Sequence, residues 1–432
     1  MTSLSRSSFT KALLSLTLLL GLTLAAHAAN PKSFDPLAAT DALLNTLPAE
    51  ARAKSDAYFE GGYVFKVWNL LLTLVIAWGL LKFGVTVRLR NLAERFFKFR
   101  YLQGLLFIAL FMVVNWVLTL PSDYYENFVR EHRFGLSNLT AGGWLVEQLK
   151  GLAVSTVISS LIGSLLYLGI RKSPRRWWVI AAVATPVFLF LVIVISPVFI
   201  APIFNTYKGL ENATVRNPIL SMARANGVPA DNVYEFDASK QSKRISANVS
   251  GAFGTIRVSL NDNLLARCTP GEVQAVMAHE LGHYVLNHVY KLVIYFSLLF
   301  AAGFAFTHWF FGAVHRRFGA HWGLRDLADL AGLPLLLAGL NLFLFVATPV
   351  QNSIVRTTEA EADIFGLNAG RQPDGFATTA LKLSEYRKLA PGPWEEIIFF
   401  DHPSGRSRIL MAMRWKAEHL AELPPVTPAT EK

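Results

Sequence analysis

Nothing limits the folds open to this chain more than six long apolar stretches that carry few charges, at residues 63–85, 101–120, 145–170, 177–203, 289–314 and 327–348. Each is long enough, as a helix, to cross about 30 Å of hydrocarbon. A bilayer core has no water to satisfy exposed peptide groups, so such segments fold as helices that close their own hydrogen bonds. Composition agrees, with 53% of residues hydrophobic and 16% charged, where soluble domains carry about a quarter. The fold expected is mostly α, a polytopic membrane helix bundle. Two more polar stretches, 204–288 and 350–423, are expected to form soluble lobes, the first a small α+β unit.

The net charge is +11. No nucleic-acid partner is expected, because membrane lipids give a simpler account: cytoplasmic loops of membrane proteins collect Lys and Arg. The loop at 86–100 holds Arg88, Arg90, Arg95, Lys98 and Arg100 against Glu94, and the loop at 171–176 holds Arg171, Lys172, Arg175 and Arg176. Between the fifth and sixth spans lie Arg316, Arg317 and Arg325 against Asp326. These three loops are expected in the cytoplasm, which puts both lobes on the opposite side, the periplasm of a bacterial inner membrane. The N-terminus points the same way. Arg6 and Lys11 precede an apolar run at 12–25 and an A-x-A site at Ala26-His27-Ala28, which reads as a signal peptide over 1–28 or as a first membrane helix. The region 29–203 then holds four spans, with a short external helix expected between Pro36 and Pro48. A two-span hairpin fills 289–349, and the Pro/Thr-rich tail 424–432 reads as disordered. Cys268 is the one cysteine, so any metal must be held by His and carboxylate groups.

Residues 232–237 and 256–260 read as strands, with Gly251 and Gly254 between them. The lobe at 204–288 closes on a helix. Thr269 and Glu272 form a T-x-x-E capping box with Pro270 at the first helical position, and Val273, Val276, Met277 and Leu281 supply an apolar stripe. This helix carries His279-Glu280-Leu281-Gly282-His283. Positions i and i+4 share a helix face, so the two imidazoles can hold one Zn²⁺ while Glu280 takes a proton from water beside it. Alone, the pattern is equally a core helix that carries two histidines. A third ligand is sought in Arg356-Thr-Thr-Glu-Ala-Glu-Ala-Asp363, which emerges directly from the last span. Glu359 is the candidate and Glu361 its competitor. Acidic residues at a helix start also occur simply as a solvated face favoured by the helix dipole. Further helices are expected near 353–369 and 373–388, then a turn at Pro391-Gly392-Pro393 and a last helix from about Ser404.

H-E-L-G-H, the two-span hairpin, R-x-x-E-x-x-A-D (Arg356, Glu359, Ala362, Asp363) and the late H-P-S-x-x-x-R (His402 to Arg408) together resemble the integral-membrane zinc CAAX prenyl endopeptidases, type I. D-A-S-K at 237–240 and R-V-S-L-N-D-N-L-L at 257–265 are also similar to that family. The resemblance covers nearly the whole chain. It implies membrane helices enclosing a chamber capped by the lobes, one Zn²⁺ per chain, and hydrolysis of peptide or protein substrates. It implies that His279, His283 and Glu359 bind zinc, that Glu280 is the general base, and that Asp363 and Arg356 stand behind the ligands. His402 and Arg408 would reach the substrate backbone or the oxyanion. Members typically carry N-A-Y-F-T-G on a substrate-pairing edge strand, where this chain reads Ser246-Ala247-Asn248-Val249-Ser250-Gly251; Ser246, Ala247 and Asn248 are the substrate-binding candidates. His288, five residues past His283, reads as structural. The competing class is a membrane transport or chaperone-like protein with a structural zinc site, against which Glu280 argues, since such a site needs no base.

Overall fold

The computed structural model describes residues 34–251 and 256–423. The segment 1–28, Gly254 and the tail 424–432 lie outside the described residues. Among the described residues, five unbroken helices are long and apolar enough to cross a membrane: Ala49–Lys82, Arg100–Arg133, Ala141–Lys172, Trp177–Phe204 and His288–Phe318. In chain order, α1 is Pro36–Asn45, α2 Ala49–Lys82, α3 the short Val85–Phe96, α4 begins at Arg100, α5 is Ala141–Lys172, and α6 begins at Trp177. α4 runs on to Arg133 and α6 to Phe204, each through a π-helical turn. Asp35 caps α1 by accepting from the backbone N–H groups of Leu37 and Ala38.

Outward faces are greasy, as lipid requires. Val64, Val67, Leu71 and Val75 lie exposed along α2 at helical spacing. Inward faces meet through small residues that let backbones approach. A Cβ on Gly104 of α4 would fall 2.7 Å from Ser164 Oγ of α5, and one on Gly163 would fall 2.6 Å from Ile108 Cδ1. At the end of the bundle that carries the basic loops, Phe107, Tyr167, Ile170, Trp177 and Phe311 close a buried cluster. A buried ion pair between Arg90 of α3 and Asp329, 2.5 Å apart, ties two of those loops together.

The soluble lobe is built on a four-stranded sheet, β1 Tyr207–Gly209, β2 Val233–Phe236, β3 Ala247–Ser250 and β4 Arg257–Asn261, in the order β1-β2-β4-β3. β2 and β4 run parallel, and the outer pairs are antiparallel. β2 and β4 coincide closely with the strands expected at 232–237 and 256–260. α7 (Ala213–Ala225), α8 (Asp262–Arg267) and α9 (Pro270–Val285) follow the sheet strands, and Ile219, Val233, Val258, Leu260, Met277 and Leu281 form the core between sheet and helices. β3 is an edge strand, so its outer backbone groups are unpaired by the sheet.

α10 (His288–Phe318) and α11 (Leu333–Val346) form the membrane hairpin, and α12 (Thr348–Gly370) leaves α11 with a 58° bend. α11 itself has 14 residues, about 21 Å at 1.5 Å per residue, and with α12 across the bend the pair is long and apolar enough to make a sixth, broken crossing among the described residues. The start of α11 is displaced by the loop that holds Asp329 to Arg90, and α12 begins immediately at Thr348 rather than near 353. α13 (Pro373–Lys382), α14 (Pro393–Phe399) and α15 (Gly405–Glu418) complete the chain around a core of Leu44, Leu367, Phe376, Ile409 and Met413. The expected helix at 373–388 is shorter, ending in a 3-10 turn at Leu383–Glu385.

Candidate metal centre and cleft

α9 is fixed at its start as its sequence dictates. Thr269 N–H donates to Glu272 Oε2 at 2.7 Å, and Glu272 N–H donates to Thr269 Oγ1 at 3.4 Å. Glu272 also takes Lys382 Nζ at 2.6 Å, which ties α9 to α13. Across from α9 runs α12, and the two helices meet along a seam of small residues. A Cβ on Gly366 would lie 3.0 Å from His279 N and 3.1 Å from His279 Cα. One on Gly282 would lie 3.3 Å from Ala362 Cα, and one on Gly370 would lie 2.9 Å from the Ala278 Cβ. Only glycine permits this approach, and it is the approach that lets a carboxylate on α12 reach imidazoles on α9.

Three side chains converge there. His279 Nε2 is 3.1 Å from His283 Nε2, 3.2 Å from Glu359 Oε2, and Glu359 Oε1 is 3.5 Å from His283 Nε2. Their other atoms define the proton arrangement. His279 Nδ1 lies 2.8 Å from the wholly buried Asp363 Oδ1, a contact off the ideal N–H direction but one that two bare acceptors would not make. His288 Nε2 is 3.0 Å from Glu361 Oε2, and its Nδ1 is 2.9 Å from His283 Nδ1. A carboxylate accepts only, so His288 keeps its proton on Nε2 and His283 donates from Nδ1. Both Nε2 atoms then face inward as bare acceptors beside a carboxylate, and Glu359 Oε2 is buried without a hydrogen bond. A cation satisfies all three. One ligand atom from each of the three side chains can be chosen so that all lie within 4.8 Å of one another, and the contacts of His279 Nε2 with His283 Nε2 and Glu359 Oε2, 3.1 and 3.2 Å, are close to the about 3.3–3.4 Å between ligands of a tetrahedral zinc. The donor set therefore fits the metal.

The remaining residues fall into place around this point. Arg408 donates to Asp363 from Nε at 2.9 Å and from Nη2 at 2.6 Å, and so acts on His279 through Asp363. It also lines the cleft beside the centre, together with Glu280, His402, Ser246 and Ala247. This cleft has an empty volume of about 740 Å³. Asn248 is on β3 but does not line it. Glu280 makes no hydrogen bond or ion pair among the described residues. Burial, reinforced by the Glu359 carboxylate against the opposing pull of His279, pushes its carboxyl up to about 7. His402 Nε2 is 3.2 Å from Glu359 Oε2, and its Nδ1 is 2.8 Å from Asp401 Oδ1.

Arg356 does not meet the ligands. Its Nη1 donates to the carbonyls of Glu396 and Phe400, which braces the turn that presents Asp401 and His402. Glu361 is turned away from the centre to His288 and Lys291. His288, expected to be structural, sits behind a ligand: α9 breaks at Asn287, whose φ of 57° brings His288 onto His283. An Asn beyond the last apolar position was the available signal. Two further residues escape sequence reasoning. Asp401 and Arg387 line cavities at the centre and belong to no motif.

Comparison with known proteins concerns the chain as a whole. Residues 35–206 match the family described as CAAX prenyl protease N-terminal, five membrane helices, and residues 209–416 match Peptidase family M48. The chain is 28% identical over 344 residues to the uncharacterized metalloprotease YhfN of Bacillus subtilis (strain 168), covering 79% of each sequence. It is 29% identical over 334 residues to CAAX prenyl protease 1 of Saccharomyces cerevisiae, covering 71% of each. The crystal structure of S. mikatae Ste24p superposes with a TM-score of 0.72 at 24% identity, covering 85% of this chain and 90% of that one, a likeness of fold.

Proposed function

This chain belongs to the type I CAAX prenyl protease family and is an integral-membrane metalloendopeptidase, and from that premise we propose that it is a zinc enzyme with Glu280 as its general base. The observation that carries the proposal is the convergence of two imidazole acceptors and one carboxylate within 4.8 Å of one another, with an otherwise unpartnered acid beside His279 in the sequence. His279, His283 and Glu359 would hold one Zn²⁺ per chain, which when bound would supply Lewis acidity for the scissile carbonyl and for water.

The chain's own groups do the rest. Glu280, with its proton affinity raised towards neutral pH, accepts the proton of the attacking water and delivers it to the leaving amine. Asp363, held by Arg408, fixes the His279 ring, while His288 fixes the His283 ring. His402, oriented by Asp401 through Nδ1, would donate to the developing oxyanion from Nε2 when both ring nitrogens carry protons. The free edge of β3, from Ala247 on, takes the substrate as an added strand through backbone groups rather than the Asn side chain usual in the family, while Ser246, its N–H and carbonyl engaged by Asn261, lines the cleft beside it. In this reading 204–288 supplies the base and two ligands, 350–423 supplies the third ligand, and the hairpin 289–349 joins them.

We place both lobes in the periplasm, because the three Arg/Lys-rich loops lie at the other end of the bundle. Prenylated cytoplasmic proteins would not meet such a site, so extended or unfolded peptide segments are the proposed substrates. Alkaline phosphatase fused after residue 423 should be active in a bacterial host; an inactive fusion with full expression refutes this orientation. The chemistry is tested by Glu280→Gln, which should abolish cleavage while the purified protein retains its zinc. Normal turnover by that variant would exclude Glu280 as base.

A further inference from the structure

The geometry points to Arg387 as a specificity-determining residue that binds a carboxylate on the C-terminal side of the bond to be cut, an inference that rests on the endopeptidase reading above. Arg387 follows the 3-10 turn after α13, and its carbonyl accepts from Ser55 Oγ of α2 at 3.1 Å. The side chain lines the main cleft and also a smaller cavity behind His402.

Its guanidinium lacks the partner that its neighbours have. Arg408 holds Asp363, Arg244 holds Glu131 and Arg267 holds Glu385. Among the described residues no carboxylate oxygen lies within 4.0 Å of Arg387, and its nearest polar contact is His402 Nε2, 3.5 Å from Nη2. The acids closest to hand are already engaged, Asp401 with His402 Nδ1 and Glu359 with the histidine cluster. Burial and the adjacent Arg408 both work against its charge. A largely buried cation without a counter-ion is costly. Here it faces the space that substrate must fill, and its planar fork matches a carboxylate.

The sheet gives the direction. Ala247, the first residue of β3, and Ile245 and Ser246 just before it line the same cleft as Arg387, whereas Asn248, Val249 and Ser250 do not. Antiparallel pairing is the stronger mode of strand addition. It lays the downstream, C-terminal residues of a substrate against the upstream end of β3. The carboxylate is then either the peptide's own C-terminus or an Asp or Glu side chain a few residues beyond the cut.

Four peptides sharing one scissile bond test this with the full-length, zinc-loaded protein in detergent: a free C-terminal acid, its amide, the amide with Asp downstream of the bond, and the amide with Asp upstream. The acid or the downstream-Asp peptide should exceed the plain amide in kcat/KM by on the order of ten- to a hundredfold. Whichever of the two does so identifies the source of the carboxylate. In Arg387→Gln the ratio should fall towards one, and in Arg387→Lys it should fall only part of the way. Binding of the same peptides to Glu280→Gln protein, with and without Arg387→Gln, should show the same discrimination without turnover. Equal ratios in the parent protein overturn the inference, as does a preference for upstream Asp. So does a uniform loss on all four peptides in Arg387→Gln, which would mean that the residue acts through His402. Failure of the parent protein to cleave any of the four would instead strike the endopeptidase reading itself.

Discussion

Gly366→Ala tests whether the spacing of two helices sets the metal centre. The added Cβ would sit 3.0 Å from His279 N, 3.1 Å from His279 Cα and 3.3 Å from His279 Cβ. These are mostly backbone atoms inside a helix, so no side chain can rotate out of the way. Non-bonded carbon contacts are comfortable at about 3.5 Å and beyond, so α12 must withdraw by roughly 0.4 Å at this point. Glu359 lies seven positions earlier in the same rigid helix, close to two turns, and Asp363 only three, so both move with it. Metal–ligand distances tolerate about 0.2 Å. The expected outcome has two separable parts. Overpacking should cost about 1–3 kcal/mol in the metal-free protein, and zinc affinity should drop about 10- to 100-fold, the scale of losses when groups supporting the ligands are disturbed. Thermal melts in detergent without metal read the first, and competition with a chromogenic chelator reads the second. Gly79→Ala is the control, because a Cβ there meets nothing within 4 Å. A Gly366→Ala protein that melts and binds zinc like its parent would refute the reasoning.

Asp363→Asn should remove the one carboxylate that pairs with the largely buried Arg408 guanidinium among the described residues, costing about 3–5 kcal/mol; a loss under about 1 kcal/mol in chemical denaturation would show that the pair is dispensable. In metal-free protein the Glu280 carboxyl takes its proton at about 7, raised from 4.5, so the folded state binds that proton more tightly than the unfolded chain does. This contribution to stability is present below pH 4.5 and is lost as pH rises through 7. Glu280→Gln cannot ionise, so its stability relative to the parent should improve between pH 4.5 and pH 8 by up to about 3 kcal/mol; a pH-independent difference in melting would contradict the burial argument.

Much of this arrangement is legible in the residues. The spans announce themselves because lipid demands apolar side chains over a fixed length, and the start of α9 does so because Thr269, Pro270 and Glu272 each suit one position of a helix N-terminus. The sharing of a face by His279 and His283 follows from helix periodicity alone. What periodicity cannot supply is anything that crosses a break or joins distant segments. That His288 touches His283 is hidden because the helix ends at Asn287. Arg408 lines the cleft, and its hydrogen bonds to Asp363, 45 residues away, are written in no local pattern. Arg356 sits in a motif beside the ligands, yet it points away to two carbonyls, a direction that only the packing of α14 decides. The choice between Glu359 and Glu361 turns on the rotation of α12 against α9, which the glycine seam fixes.

The length of α2 carries one more consequence. Near its start, Ser55, Phe59, Glu60 and Tyr63 grip the segment that bears Arg387, Lys388, Glu395, Phe399 and Phe400, while Leu80 and Leu81 near its end are sealed into the far cluster. A single unbroken rod thus joins the substrate-facing turn to the opposite leaflet. Membrane helices meet a thinner bilayer by leaning over, and a rod anchored at both extremities transmits that lean. Acyl-chain length is therefore an input to the shape of the cleft, and reconstitution in lipids of graded thickness is where it would be read.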